Sequence, residues 1–250
     1  MLRVGASLCF IGHGAFGFIT KAAWLPYFAV VGIPERWAWT IMPLVGAVDV
    51  LAGMAVLFAP TRLPLTYMAV WALWTALLRP LAGESVFEAM ERAGNYGVPF
   101  AFLLLSGLPH SWRELIGDTP ARATSVTPYL TLSRVLQWTT VLLLAGHGAL
   151  GAIVGKPMLV SHYAAIGLPA MTVPMVGWFE IALALAVAIR PTVTLLVFVL
   201  VWKLATESLF LASGAPIWEL VERAGSYAAP AALAAMLFLA RREAPGRPLA

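Results

Sequence analysis

A histidine sits between two glycines at Gly12-His13-Gly14, and the arrangement returns at Gly146-His147-Gly148. An imidazole titrates near neutral pH, so a carboxylate beside it makes a pair able to pass a proton or orient a ligand. The candidate carboxylates are Asp49 and Glu180, each inside an apolar stretch, where an ionisable group is costly enough that function is the first reading. The competing reading is structural: His13 donates to Asp49, and His147 to Glu180, as polar glue between neighbouring helices. Lys203 and Glu207 add an i, i+4 pair where the first half has Ala72 and Ala76. That pair either neutralises itself within one turn or joins Glu180 in a three-group anion or proton site. Arg79, Arg92 and Arg223, near the ends of apolar stretches, are candidate outer-mouth contacts for an anionic headgroup or substrate.

Glu88 and Arg92, and likewise Glu219 and Arg223, stand four residues apart and read first as helix-stabilising pairs. The single cysteine, Cys9, lies in an apolar stretch, and no CxxC, HExxH or carboxylate-rich spacing predicts a metal site. His110 and His162 fall in or near loops. Bis-histidine ligation of haem b requires His13 and His147 to face each other between the halves, and nothing else in the sequence demands it.

The elements that carry these residues are set by composition. Hydrophobic residues make up 61% of the 250 and charged ones 11%, with mean hydropathy +0.86, which excludes a water-soluble fold and makes the lipid bilayer the first partner. The net charge of +4 comes from Lys and Arg scattered singly at the ends of apolar runs, so no basic face for nucleic acid forms. Runs long enough to span a bilayer lie near residues 4–19, 37–58, 63–81, 86–108, 135–154, 172–189, 192–211 and 216–240. Helices are the expected form, since a barrel needs alternating strands.

The sequence repeats itself. Lys21 matches Lys156, Gly32-Ile33-Pro34 matches Gly167-Leu168-Pro169, and Pro43, Gly46 and Asp49 match Pro174, Gly177 and Glu180. Trp71 then matches Trp202, and Glu91-Arg92-Ala93-Gly94 with Tyr96 matches Glu222-Arg223-Ala224-Gly225 with Tyr227. The expectation is an all-α integral membrane protein of eight transmembrane helices, arranged as two parallel-repeat four-helix bundles. Residues 1–108 form the first repeat, 109–134 a polar linker, and 135–250 the second repeat with a cytoplasmic tail. Nine Lys and Arg fall on the side of the termini (Arg3, Arg62, Arg113, Arg122, Arg134, Arg190, Arg241, Arg242, Arg247) and six opposite (Lys21, Arg36, Arg79, Arg92, Lys156, Arg223). This bias predicts cytoplasmic termini in a cytoplasmic-type (inner) membrane.

In each half, an intramembrane His-Gly, a Lys, a Gly-apolar-Pro and a Gly-x-x-acid follow in order, a pattern that resembles the DoxX-like family. The resemblance rests on His13-Gly14, Lys21, Gly32-Ile33-Pro34, Gly46 to Asp49 and Thr61-Arg62, and on their second-half counterparts His147-Gly148, Lys156, Gly167-Leu168-Pro169 and Gly177 to Glu180. It implies a tandem duplication of a four-helix unit and, since some members are membrane subunits of quinone-linked redox systems, a quinone ligand and a membrane or periplasmic redox partner. Two other functions stay open: a small proton- or ion-coupled carrier using Asp49, Glu180, Lys203 and Glu207, and a non-catalytic membrane assembly factor.

Overall fold

The computed structural model describes residues 1–116 and 128–243. Residues 117–127 of the expected linker, with Arg122, and the tail from 244, with Arg247, lie outside the described residues. Helices account for nearly all of the regular structure. The first half runs through α1 (Leu2–Phe18), a 3-10 turn (Ala22–Trp24), α2 (Leu25–Val30), α3 (Glu35–Phe58), α4 (Arg62–Leu81), α5 (Val86–Glu91), α6 (Ala93–Leu105) and α7 (Trp112–Ile116). The second has α8 (Pro128–Ala149) widening into a π turn (Leu150–Val154), then α9 (Pro157–Ala164), α10 (Thr172–Ile189), α11 (Val193–Glu207), α12 (Leu209–Ala212), α13 (Trp218–Glu222) and α14 (Ala224–Glu243).

The Gly-apolar-Pro signature is a helix stop followed by a helix start. Gly32 adopts φ +74° and Gly167 φ +78°, which favours a residue without Cβ. The N–H groups of Gly32 and Ile33 return to the carbonyls of Ala29 and Phe28, both at 3.0 Å, closing the end of α2. Pro34, with no N–H to satisfy, then opens α3. Gly167 and Leu168 close α9 in the same way, on Ala164 and Tyr163.

Among the described residues, five helices are long and apolar enough to cross a membrane: Glu35–Phe58, Tyr129–Val154, Thr172–Ile189, Val193–Ala212 and Ala224–Arg242. A sixth is added if Leu2–Phe18 and Ala22–Val30, bent by 100° at their junction, count as one span. The expectation of eight spans is therefore overturned, and the physical reasons lie in the first half. Helix α4 has 20 residues, but Thr66, Tyr67, Trp71, Trp74 and Thr75 along it and Arg62 and Arg79 near its ends leave it insufficiently apolar. The expected span over 86–108 is broken at Arg92, whose φ of −85° and ψ of 12° leave the helical range. What remains, α6, has 13 residues, about 20 Å at about 1.5 Å per residue against the roughly 30 Å of a hydrocarbon core.

Two separate four-helix bundles are not formed either. Helix α1 packs on α3, and also on α13 and α14 from the other half; α8 packs on α10, and also on α5 and α6. Glycines permit these crossings. A Cβ on Gly12 would lie 2.4 Å from the backbone N of Glu222, and one on Gly146 2.3 Å from that of Glu91. Gly94 and Gly225 meet backbone to backbone where α6 crosses α14. The halves are interlocked around one apolar cluster that includes Phe10, Met68, Leu136, Leu144, Leu196 and Leu233.

Candidate functional site

Helix α1 carries His13 to the middle of α3, where close approach of Gly14 and Gly17 to Gly46 brings the backbones together. His13 Nδ1 lies 2.7 Å from Asp49 Oδ2, and the hydroxyl of Tyr67, from α4, donates to Asp49 Oδ1 at 2.7 Å. Both oxygens of a carboxylate with no exposure are thus satisfied. The His13 ring stacks on Trp24 with centroids 4.6 Å apart. In the second half His147 Nδ1 bonds Glu180 Oε2, and Trp202 Nε1 donates to Glu180 Oε1 at 2.9 Å.

The two pairs differ in their third member, for a readable reason. Tyr67 is matched by Phe198, which has no hydroxyl, so the indole of Trp202 takes the second oxygen of the longer Glu180. In the first half Tyr67 has that place, and the indole N–H of Trp71, the counterpart of Trp202, is buried with no hydrogen-bond partner. The ring pairs themselves are alike: Tyr67 stacks on Trp71, and Phe198 on Trp202, each with centroids 6.1 Å apart.

Lys203 is 1% exposed and lies 2.7 Å from Glu207 Oε1 and 3.8 Å from Glu180 Oε1, so both partners considered from the sequence are within reach. Arg223 closes on the same cluster, with Nε 2.9 Å from Glu207 Oε2 and Nη1 2.6 Å from Glu219 Oε2. The Glu219–Arg223 pair of one helix turn forms as expected. Glu88 instead pairs with Lys156 and, at 3.5 Å, with Arg79, while Arg92 reaches Glu222 at 3.2 Å. Reciprocally, Lys21 of the first half pairs with Glu219 of the second at 2.7 Å. Arg79 is held further by Glu84 at 3.1 Å and lies over the ring of Tyr27. All three arginines singled out from the sequence are thus engaged by carboxylates.

Burial alone would raise the carboxyl of Glu222, but Arg92, helped by Lys21, outweighs it and holds the group down to about 2. Glu91 is lowered too, burial being overcome by Arg92 and Arg223. The guanidinium of Arg223 is held charged more firmly than usual, since Glu207 and Glu91 outweigh its desolvation. At neutral pH these groups are held in their charged forms. His162 is shifted the other way, toward the neutral ring, by burial and by Arg223.

A cavity of about 160 Å³ opens beside the first pair. His13, Trp24, Tyr27, Phe28, Trp71 and Trp74 line it with rings, Ala72, Thr75 and Leu78 form part of the α4 wall, and Arg79, Arg92, Asn95 and Glu222 supply polar edges. A smaller void bounded by Cys9, Phe10, His13, Trp71 and Asn95 adjoins it. His147 lines neither, so the two histidines belong to separate environments and do not form a bis-histidine site in the cavity. Among the described residues no three His, Cys, Asp or Glu side chains gather as a metal site. Sequence reasoning missed Tyr67, Trp24, the orphan donor on Trp71 and the cross-half partners of Lys21 and Lys156. The available signal for the cavity was the small Ala72 at the position matched by Lys203.

Fold and apolar helices together define a polytopic, largely helical, membrane-associated protein. No protein-family model matches the chain, and no curated protein or solved structure is similar to it. With five to six candidate spans and interlocked halves, this corrects the DoxX-like resemblance and the tandem four-helix duplication it implied. Short motifs of Gly, His, Pro and acid are common in membrane helices, where they serve close packing and polar pairing, so their order alone does not define a family.

Proposed function

We propose that the protein is a membrane-embedded binding protein for a neutral, lipophilic ring compound of the quinone or quinol class, held in the first-half cavity. The observation that carries this reading is the gathering of the Trp24, Tyr27, Trp71 and Trp74 rings around a cavity beside the His13–Asp49 pair. Asp49 occupies His13 Nδ1 and leaves the opposite ring nitrogen for a ligand hydroxyl. Neutrality follows from the pairing of Arg79 with Glu84 and Glu88, and of Arg92 with Glu222, which leaves no uncompensated charge for an anion. The aromatic walls suit a flat ring, and an apolar pocket with a few convergent polar groups is the usual form of a small-molecule site. In a quinone-linked system such a chain is the quinone-holding subunit.

The carrier reading draws on the same buried groups. Each member of the Glu180, Lys203 and Glu207 cluster lies within 3.8 Å of an opposite charge, which supports a structural role for that cluster, although Lys203 Nζ and Glu207 Oε2 make no well-aligned hydrogen bond. The test is organic extraction of detergent-purified protein with mass spectrometry. A quinone or quinol recovered near one per chain, and lost in Ala72→Phe, is the expected result. Uptake of an ion or solute by reconstituted vesicles, with no ring compound extracted, would favour the carrier.

A further inference from the structure

The repeat aligns the wall of the cavity with a set of second-half residues of different size. Ala72, Ala76 and Arg79 on α4 stand where Lys203, Glu207 and Phe210 stand on α11 and α12, and Tyr27 stands where His162 does. In the second half these larger residues are packed together. Lys203 and Glu207 are 1% and 2% exposed and paired with each other. Phe210, 4% exposed, meets the edge of His162 at 4.2 Å between centroids and lies under the guanidinium of Arg223 at 3.8 Å. Three elements of the site are nevertheless duplicated: a His–carboxylate pair, a tryptophan beside it, and a carboxylate-paired arginine at the break before the last long helix of each half.

We infer that the second half holds a second, closed site for the same class of ring compound, sealed by a plug made of the Lys203–Glu207 pair and Phe210. The chain therefore binds one ligand, in the first half, and the plug residues are specificity determinants that decide which half is open. The chemistry is direct. Ala72 leaves room beside the ring-lined cavity, whereas in the second half a lysine and a glutamate 2.7 Å apart occupy the corresponding place and neutralise each other. Trp202 agrees with this, since its indole N–H is already spent on Glu180 and offers no donor to a guest. The inference rests on the proposed quinone-class reading of the open cavity.

The experiment is a reciprocal exchange, read as the stoichiometry of a short-chain benzoquinone bound to the detergent-purified full chain. Moving the plug into the first half with Ala72→Lys and Ala76→Glu is expected to lower stoichiometry from one to zero. Opening the second half with Lys203→Ala, Glu207→Ala and Phe210→Arg, together with Phe198→Tyr to supply Glu180 with the hydroxyl that Tyr67 gives Asp49 and so free Trp202, is expected to raise it from one to two. The unaltered first site is an internal control for folding in the opened variant: one equivalent retained and none gained overturns the inference. Should the opened variant lose the first equivalent too, the plugged variant still decides, because undiminished binding by it overturns the inference. A wild-type chain that binds no benzoquinone at all refutes the functional reading instead, and the two failures are distinct.

Discussion

Asp49 shows how much depends on single atoms. Its two oxygens are taken by His13 and Tyr67, and with Tyr67 in that place the indole N–H of Trp71 is left without an acceptor. Tyr67→Phe is expected to lower stability by about 1–3 kcal/mol, because one buried carboxylate oxygen loses its donor. It should also weaken benzoquinone binding, as Trp71 turns to Asp49 in the manner of Trp202; thermal unfolding and a binding titration on one preparation check both effects. At the same scale, the carboxyl of Glu222 is lowered to about 2, so it adds stability that is fully present above the ordinary glutamate range, near pH 4.3. That stability is lost as pH falls from there toward about 2. The melting temperature in detergent should accordingly be flat from about pH 5 to 8 with respect to this group and drop only in acid. A fall between pH 8 and 6 that Glu222→Gln removes would contradict it.

Among the elements, the turn after α1 is the least relaxed. Thr20 adopts φ +51° at the place where the second half has Gly155 at φ +66°. A β-branched residue in the left-handed region costs about 1–2 kcal/mol, so Thr20→Gly is expected to stabilise the chain by about 1 kcal/mol, seen as a higher melting temperature. The helix crossings behave oppositely. Gly146→Ala sets a Cβ 2.3 Å from the backbone N of Glu91, and neither partner is a flexible side-chain end. Overpacking of this kind costs about 1–3 kcal/mol or more, and monodispersity on size exclusion together with unfolding temperature measures it. The sequence made the apolar helices and the Gly-apolar-Pro turns legible, because hydropathy and glycine-proline chemistry are local. It did not reveal the break at Arg92. A hydropathy window averages over one irregular residue, and the same break recurs at Arg223, φ −87° and ψ 12°, in the matching Glu-Arg-Ala-Gly segment.

In the whole molecule, the pairs Lys21–Glu219, Lys156–Glu88 and Arg92–Glu222 all join one half to the other. Reading charges four residues apart suggested local pairing, but burial rewards whichever partner completes the desolvated charge, and a linear pattern carries no information about that partner. Breaking one such buried pair costs about 3–5 kcal/mol, so Glu88→Gln, which strips both Lys156 and Arg79 of a partner, should destabilise strongly, whereas Lys156→Met, which leaves Glu88 paired with Arg79, should cost less. Unfolding of the two variants separates these cases. The His–acid pairings were visible as repeated residue types. The cavity was not, because its wall at Ala72 is marked only by a missing side chain, and the contrast with Lys203 and Glu207 pointed first to the half that carries charge. The most direct test of a ligand held beside His13 is photolabelling with a light-activated benzoquinone analogue, followed by peptide mapping. Label on the segments carrying His13, Trp24 and Trp71, suppressed by excess short-chain benzoquinone, is the predicted result; label confined to exposed lipid-facing positions such as Trp138 and Trp178, and insensitive to competitor, would contradict the account.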